Sequence, residues 1–262
     1  MSDEFDSWLL PLQPRPRARR RLYCFPFAGG GIAPYARWIP LLPDDIELVG
    51  VQLPGRENRI GEAPLTRFNT LLDHIADAVA EHDDGRETHF FGHCAGAMLA
   101  YECARALHGR AAAMPASLLV SAAPAPSRWD NRRMTYDLGG RDPLVVFSEL
   151  GAIPRELIDD PDLAAHVRAV LHADTAVYRS YRPDPRPPLP LPVSAFAADR
   201  DTLVAPAEME HWQHHTDRPL RARRYDGTHF SILDGRSALL GLVLAELAMT
   251  DPLSTAYAPG EL

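Results

Sequence analysis

The sequence contains no lysine: all 27 basic side chains are arginines, against 35 acidic ones, and the formal net charge is −8. An acidic chain lacks the concentrated basic surface that binds a phosphate backbone, which argues against a nucleic-acid-binding protein. The missing lysines indicate a GC-rich coding genome rather than a mechanism. One basic run, Arg15 to Arg21, is interpreted as a solvated N-terminal arm leading into a strand, with a basic docking patch as the alternative.

Cysteine is scarce, and Cys24, Cys94 and Cys103 form no C-x-x-C pair. This spacing excludes a disulfide scaffold and a cysteine zinc site. The histidines within 211–215 have no carboxylate or thiol at a supporting spacing, and the glycine turn at 29–31 lacks the context of a phosphate-binding loop. The sequence therefore predicts neither a metal site nor a bound cofactor.

Long apolar runs are also absent, since no stretch approaches the roughly 18 residues of a membrane span. The first ten residues, MSDEFDSWLL, are acidic where a secretion signal would be basic. We therefore expect a cytoplasmic protein that does not act at a membrane. With 46% hydrophobic and 24% charged residues over 262 positions, the chain is long enough for one large α/β domain.

Apolar strand patterns alternate with helical ones along the first half of the chain. Strands are predicted at 21–27, within ELVGVQLPG and THFFG, and at the start of SLLVSAAPAP, with helices within 65–82 and 95–109 between them. Strands separated by crossover helices are parallel. The pattern thus predicts an α/β fold with a mostly parallel, doubly wound sheet.

The pattern changes to short helical pieces after about residue 128, and strand signals resume at PVSAFAADRD. We interpret this middle part as an inserted helical lid, followed by a proline-rich return at 182–192 that cannot be a regular helix. The predicted organisation is an N-terminal arm at 1–20, core at 21–127, lid at 128–185, core at 186–250, and a C-terminal tail at 251–262.

The five residues Gly92-His93-Cys94-Ala95-Gly96 lie between a predicted strand and a predicted helix. In this context they form a nucleophile elbow with cysteine at the position where serine usually stands. The turn presents Cys94 at a helix N-terminus, where the dipole and free N–H groups favour a thiolate and an oxyanion. His93 is expected to fill space beneath the elbow.

A nucleophile requires a base and an acid that orients the base. In the chain order of the α/β-hydrolase fold these follow as an aspartate and then a histidine. His229, in the loop YDGTHF, is predicted as the base, and Asp201, after the strand VSAFAA, as the acid. Asp199 lies two residues away and is the alternative acid.

The oxyanion hole requires two backbone donors. The residue after the nucleophile, Ala95, supplies one. The loop FPFAGG after the first core strand supplies the other, assigned to the N–H of Ala28, with Phe27 as the alternative.

Five segments together resemble the type II, editing thioesterases that accompany polyketide synthases and non-ribosomal peptide synthetases: FPFAGG, VQLPGRENR, FGHCAGAMLAYECAR, DRDTLV and GTHF. The resemblance spans roughly residues 20–248, with QLPGR as its most specific part. It implies an α/β-hydrolase fold with a mobile lid. It also implies a substrate acyl group held as a thioester on the phosphopantetheine of an acyl or peptidyl carrier protein. The family usually has serine where Cys94 stands.

The cysteine leaves three interpretations open. The chain is a thioesterase that uses cysteine, an acyltransferase or cyclase that passes the acyl group from Cys94 to an amine or hydroxyl, or a non-catalytic or engineered form that only binds carriers. The acyl group on Cys94 would be a thioester, which stays activated for attack by an amine or alcohol, and this is the basis of the second interpretation. Apolar residues predicted to line an acyl pocket include Phe27, Phe147, Leu150 and Ile153, and others of the lid are Leu157, Leu163, Val167 and Leu171. The alternative for the lid residues is that they only pack the lid on the core.

Carrier proteins are generally acidic, as the resemblance implies, so docking requires a local basic patch. Four arginines within fourteen residues of the lid form the candidate patch: Arg128, Arg132, Arg133 and Arg141. The alternative is that they are only solvated lid surface.

Overall fold

The computed structural model of the chain describes residues 8–130, 141–153, 158–234 and 238–249. The strands of these ranges form one seven-stranded sheet in the order β1-β3-β2-β4-β5-β6-β7. They are β1 Leu9–Pro11, β2 Arg20–Phe25, β3 Ile46–Val51, β4 Glu87–His93, β5 Ser117–Ser121, β6 Val193–Ala198 and β7 Arg221–Tyr225. Only β1 is antiparallel to its neighbour β3, and the other neighbouring pairs are parallel. The predicted fold class is confirmed.

Helices connect the strands and cover the sheet. The α-helices of the described ranges are α1 Ala33–Ala36, α2 Phe68–Glu81, α3 Ala95–Gly109, α4 Pro143–Glu149, α5 Pro161–Ser180 and α6 Ala238–Met249. Short 3₁₀ helices lie at Ile39–Leu41, Glu57–Arg59, Pro126–Arg128, Pro206–His215 and Ser231–Leu233. None of the helices in these ranges combines the length and apolarity needed to cross a membrane.

Burial explains why the central strands carry apolar residues on both faces. The aromatic side chains Phe25, Phe90, Phe91 and Phe196 of β2, β4 and β6 are fully buried. A parallel strand covered by helices on both faces has no solvated side, so alternation of apolar and polar residues disappears. The edge strand β7 differs, because its sequence RARRY exposes charged residues, as is common at unprotected sheet edges.

The N-terminal basic run differs from its prediction as a solvated arm. Strand β1 lies within the predicted arm and pairs with β3. Arg20 and Arg21 are buried in β2, where Arg20 pairs with Asp45 at 2.8 Å and Arg21 with Glu47 at 3.0 Å. Buried guanidinium groups require such acidic partners. These two arginines are therefore structural and do not belong to an exposed docking patch.

The segment between β5 and β6 carries α4 and α5. Asp160 caps α5 by accepting hydrogen bonds from the N–H groups of Asp162 and Leu163, and Pro161 occupies the first turn, which is a favourable start for a helix. Leu144 and Leu171 of this insertion belong to the same apolar cluster as the sheet. The insertion thus packs directly on the core. The predicted domain limits stay predictions, and the tail beyond residue 249 lies outside the described residues.

Candidate active site

The parallel sheet gathers the predicted site residues at one edge. Cys94 follows β4, Asp201 lies after β6, His229 after β7, and Ala28 after β2. Because these strands are parallel, the loops at their carboxyl ends lie side by side, where sites of open α/β sheets form.

The elbow has the strained geometry that its sequence predicts. Cys94 has φ 53° and ψ −124°, a conformation that costs free energy for a non-glycine residue. Its N–H donates to the Ser121 carbonyl at 2.8 Å, which holds the turn against β5. A Cβ atom at Gly92 would collide with the backbone of α3, and one at Gly96 with the Phe25 carbonyl. Both glycines are therefore required by close backbone packing.

Cys94 also forms the N-terminal cap of the 15-residue helix α3. The first N–H groups of a helix have no intrahelical acceptor, and the helix dipole adds partial positive charge there. The Cys94 side chain is nearly buried, with 4% of the residue exposed. A negative charge on its sulfur is stabilised by the helix and shielded from water.

His229 and Asp201 form a buried pair next to the elbow. The Nδ1 atom of His229 lies 2.8 Å from Oδ2 of Asp201, and their side chains are 3% and 1% exposed. The other carboxylate oxygen accepts hydrogen bonds from the N–H groups of Leu203 and Val204 at 2.8 and 3.0 Å. The carboxylate is thus fixed on both sides and orients the imidazole.

Asp199, the alternative acid, faces away from this pair. Its carboxylate is 39% exposed and binds Arg224 at 2.7 Å. The geometry therefore favours Asp201 over Asp199 as the partner of His229.

The electrostatics of the pair depend on Cys94. Burial by itself would lower the pKa of His229, but negative charge on Cys94 and the hydrogen bond with Asp201 raise that pKa to about 10. Burial would raise the pKa of Asp201, but the hydrogen bond and charge of His229 lower it, together with the backbone hydrogen bonds from Val204 and Leu203. Negative charge on Cys94 or Asp201 therefore favours the charged form of the His229 imidazole.

His93 has a different role from His229. It is fully buried, its Nδ1 lies 3.2 Å from the Ser121 hydroxyl, and its ring centroid lies 5.3 Å from that of His229. Burial and the neighbouring positive charge of His229 lower the pKa of His93 to about 3. A neutral histidine packed in this way fits the predicted space-filling role.

The predicted oxyanion donors border the elbow. Ala95 begins α3, and Ala28 lies in the turn after β2, where the N–H of Gly30 donates to the Phe27 carbonyl at 2.9 Å. Within the described ranges, neither Ala28 nor Ala95 donates its N–H to a protein acceptor. Both groups are thus free to bind a substrate oxyanion.

An apolar pocket opens next to Cys94. Its wall is formed by Ala28, Cys94, Ala95, Trp129, Phe147, Leu171, Thr175 and Tyr178. Four of these residues come from α4 and α5 of the insertion. The wall has the mainly apolar character, with few polar groups, that suits an acyl chain.

The predicted substrate residues are distributed unequally around this pocket. Phe147 lies on its wall, whereas Phe27, Leu150 and Ile153 do not. Phe27 packs against Phe230 with ring centroids 5.7 Å apart, and Ile153 belongs to the buried core. These three apolar side chains are taken up by internal packing.

Other lid residues named from the sequence also differ from one another. Leu171 lies on the pocket wall, Val167 is partly buried against the core, and Leu163 is 43% exposed. Leu157 lies outside the described residues. Apolarity alone did not distinguish these positions.

Sequence reasoning missed three wall residues, Trp129, Thr175 and Tyr178. The available signal was the spacing of Leu171, Thr175 and Tyr178, which places them on one face of a helix. It also missed the buried ion pair of Arg56 with Asp174 beside the pocket, although Arg56 is part of the distinctive QLPGR segment.

Comparison with known proteins identifies the family of the chain. The model of the thioesterase domain family matches residues 20–247. The chain belongs to this family. It is thus a hydrolase of acyl thioesters, and its fold is the thioesterase form of the α/β-hydrolase fold.

Several relatives of this thioesterase are similar over most of their length. The thioesterase PikA5 of Streptomyces venezuelae is 33% identical over 87% of this chain and 80% of its own. The gramicidin S biosynthesis protein GrsT of Aneurinibacillus migulanus is 27% identical over 94% of this chain and 96% of its own. The solved structure of BorB, a type II thioesterase from the borrelidin biosynthetic cluster, is 31% identical with a TM-score of 0.79, covering 92% of this chain and 98% of BorB.

Proposed function

We propose that this thioesterase releases acyl groups from the phosphopantetheine of acyl or peptidyl carrier proteins in polyketide or non-ribosomal peptide biosynthesis. The reaction uses a Cys94-His229-Asp201 triad and an acyl-enzyme intermediate. The observation that carries the proposal is the buried pair of His229 with Asp201 next to a cysteine at a strained elbow. The pathways of GrsT and BorB, as their names give them, support the biosynthetic setting.

In the first step, Cys94 attacks the thioester carbonyl and a C–S bond forms. The oxyanion binds the N–H groups of Ala28 and Ala95. When the intermediate collapses, the bond to the pantetheine sulfur breaks and His229 donates its proton to that sulfur. One thioester replaces another, so this exchange is nearly isoenergetic.

In the second step, His229 changes from acid to base. Acylation removes the negative charge of Cys94, which is the leading cause that raises the pKa of His229. The pKa of His229 is therefore lower in the acyl-enzyme, so the imidazole left neutral by the first step stays neutral and is available to accept a proton from the attacking water. Water attacks the acyl carbon, the carboxylic acid leaves, and Cys94 recovers the proton or remains a thiolate beside the imidazolium.

Acyl transfer is the second candidate, and the identity of Cys94 favours it. A cysteine acyl-enzyme is a thioester and keeps more driving force for attack by an amine or alcohol than an oxygen ester would. An amine or hydroxyl acceptor in place of water would give an amide or an ester.

The products separate the candidates. The protein is incubated with an acyl-pantetheine thioester, with and without added amines and alcohols, and acid, amide and ester are quantified. Acid as the main product in all mixtures supports hydrolysis, amide or ester supports transfer, and no turnover leaves a form that only binds carriers.

Peptide mapping after the same incubation locates the acyl group. We expect acylation of Cys94, loss of labelling in Cys94→Ala, and unchanged labelling in the control Cys103→Ala, whose thiol is fully buried in α3. Labelling that persists in Cys94→Ala would refute the proposed nucleophile.

Carrier docking through the lid arginines remains part of the proposal. Arg128 is exposed, Arg141 pairs with Glu149 at 2.6 Å, and Arg132 and Arg133 lie outside the described residues. We expect Arg132→Glu with Arg133→Glu to raise KM for carrier-bound substrate and to leave a free pantetheine thioester unaffected.

Salt provides a second test of this docking. The carrier reaction should weaken as ionic strength rises, because exposed charge pairs are screened beyond about 8–10 Å. Equal kinetics of the charge-reversed and parent proteins on carrier-bound substrate would eliminate the patch.

A further inference from the structure

A buried ion pair joins the insertion to the core beside the pocket. The guanidinium of Arg56 contacts both oxygens of the Asp174 carboxylate at 2.7 and 2.8 Å, and the side chains are 8% and 5% exposed. Arg56 follows β3, whereas Asp174 lies on α5. Burial would lower the pKa of Arg56, but the charge of Asp174 raises it, so the guanidinium stays charged.

The same two side chains hold the loop that carries Ala28. Oδ2 of Asp174 accepts the N–H of Gly29 at 2.7 Å, and Nη1 of Arg56 donates to the Gly30 carbonyl at 2.9 Å. Gly29 and Gly30 directly follow Ala28. One donor and one acceptor on adjacent residues thus restrain the turn that also carries the Ala28 N–H.

The next residue of the chain fixes the far end of this loop. The Glu57 carboxylate accepts the N–H groups of Ile32 and Ala33 at 2.9 and 2.8 Å. Glu57 has φ 50°, a left-handed conformation that a non-glycine residue keeps only where its surroundings enforce it. Arg56 and Glu57 therefore bind the loop at both ends.

Helix α5 contacts both sides of the proposed oxyanion hole. Leu171 packs so closely on Gly29, whose φ is +77°, that a Cβ atom there would collide with its side chain. On the other side, the Tyr178 hydroxyl donates to the Ala95 carbonyl at 2.9 Å. With Asp174 between them, these residues occupy one face of the helix.

We propose that Arg56 and Asp174 are positioning residues that set the oxyanion hole through the 28–30 loop. The inference rests on the proposed function and adds a role for the insertion: α5 helps to place the Ala28 donor as well as to form the pocket wall. Neither side chain lies on that wall. A buried ion pair is in itself weak evidence for a stabilising role, whereas its hydrogen bonds to Gly29 and Gly30 have a direct geometric effect.

Two reactions of Cys94 separate positioning of the oxyanion hole from general damage. Acylation by a thioester passes through an oxyanion, whereas alkylation by iodoacetamide is a displacement that forms none. In Asp174→Asn, the amide cannot serve Arg56 and Gly29 as the carboxylate does. We expect its single-turnover acylation to fall about 10- to 100-fold, given the sensitivity of rate to donor placement, while alkylation stays within about threefold of the parent.

A matched control comes from the same insertion. Glu149 pairs with Arg141 on the surface, with both side chains about half exposed. Glu149→Gln should leave acylation and alkylation unchanged. Arg56→Lys, which retains the charge without the two-pronged contact, should lose less acylation than Arg56→Met.

A second variant keeps the test valid if Asp174→Asn does not fold. Arg56→Met with Asp174→Leu removes both charges, and such apolar replacement of a buried pair is often tolerated. It still removes the contacts to Gly29 and Gly30, so we expect the same loss of acylation with alkylation retained.

Three outcomes would overturn the inference. An acylation rate within threefold of the parent in the folded variants would refute it. An equal fall in the rates of acylation and alkylation would also refute it, because that result indicates a distorted elbow. A parent protein that is not acylated at Cys94 refutes the proposed function and this inference with it. An acylated parent with unaffected variants refutes the inference alone.

Discussion

Replacement of Cys94 by alanine is expected to release the proton that His229 holds in the resting enzyme. In the structure, burial opposes the charged imidazole, but negative charge on Cys94 and the hydrogen bond with Asp201 raise the pKa of His229 from 6.5 to about 10. That difference corresponds to about 5 kcal/mol of preference for the charged form. Asp201 remains in the variant, so only part of the preference is lost.

We expect the titration midpoint of His229 to fall by at least about two pH units in Cys94→Ala, because the leading interaction that raises it is gone and burial still lowers it. Ring-proton NMR of the histidines between neutral and alkaline pH measures this midpoint. Cys103→Ala, which removes a distant buried thiol, is the control and should titrate like the parent.

The direction of the effect also predicts how the two chemical steps respond to pH. In the parent, His229 stays charged until the pH rises towards about 10, so a proton is available to the leaving pantetheine sulfur below that value. After acylation, hydrolysis should increase as the pH rises through the lowered pKa of His229, since the base must be neutral. An identical His229 midpoint in the parent and Cys94→Ala would refute this account of the pair.

Asp201→Asn should reduce kcat by about 10³- to 10⁴-fold, because the amide no longer fixes the imidazole tautomer. The control Asp199→Asn should keep kcat within a few fold of the parent. Steady-state kinetics compare the two variants, and equal losses of kcat would contradict the assignment of Asp201. Gly96→Ala should lower the free energy of unfolding by more than about 1 kcal/mol, because the added Cβ would collide with a backbone oxygen. Gly61→Ala is the control and should be nearly neutral, because a Cβ there has nothing within 4 Å. Denaturant unfolding measures the free energy of unfolding of both variants. Phe147→Ala should open the pocket wall and raise kcat/KM for longer acyl chains relative to short ones by about tenfold, and an unchanged chain-length profile would place the acyl chain elsewhere.

Local chemistry explains which features could be predicted from the sequence. The elbow is encoded in five adjacent residues, since Gly92 and Gly96 are required by contacts that any strand-turn-helix of this kind makes. Asp201 and His229 follow strands in a fixed order, and a parallel sheet places such residues together. The preference for Asp201 over Asp199 agrees with the geometry of the His229 pair.

Features that depend on distant contacts were not predictable in this way. Arg56 and Asp174 are separated by 118 positions, and a charged residue on an amphipathic helix is typical of a solvent-facing side. The burial of Arg20 and Arg21, at the end of the run interpreted as a solvated arm, has the same cause, because their partners Asp45 and Glu47 lie on or before another strand. A charge pattern in one sequence does not identify which charges are neutralised inside the fold.

The fate of an acyl group on Cys94 depends on access more than on the triad. A thioester reacts with water, amines and alcohols, and in the proposed mechanism the same neutral His229 serves as base for each of them. The structure leaves only 4% of Cys94 exposed and surrounds it with a mainly apolar wall in which Thr175 and Tyr178 carry the hydroxyl groups. The Tyr178 hydroxyl is engaged with the Ala95 carbonyl, so it anchors the elbow. In the proposed mechanism, the choice between hydrolysis and transfer therefore depends on which nucleophile reaches Cys94, beside which α4 and α5 form part of the pocket wall.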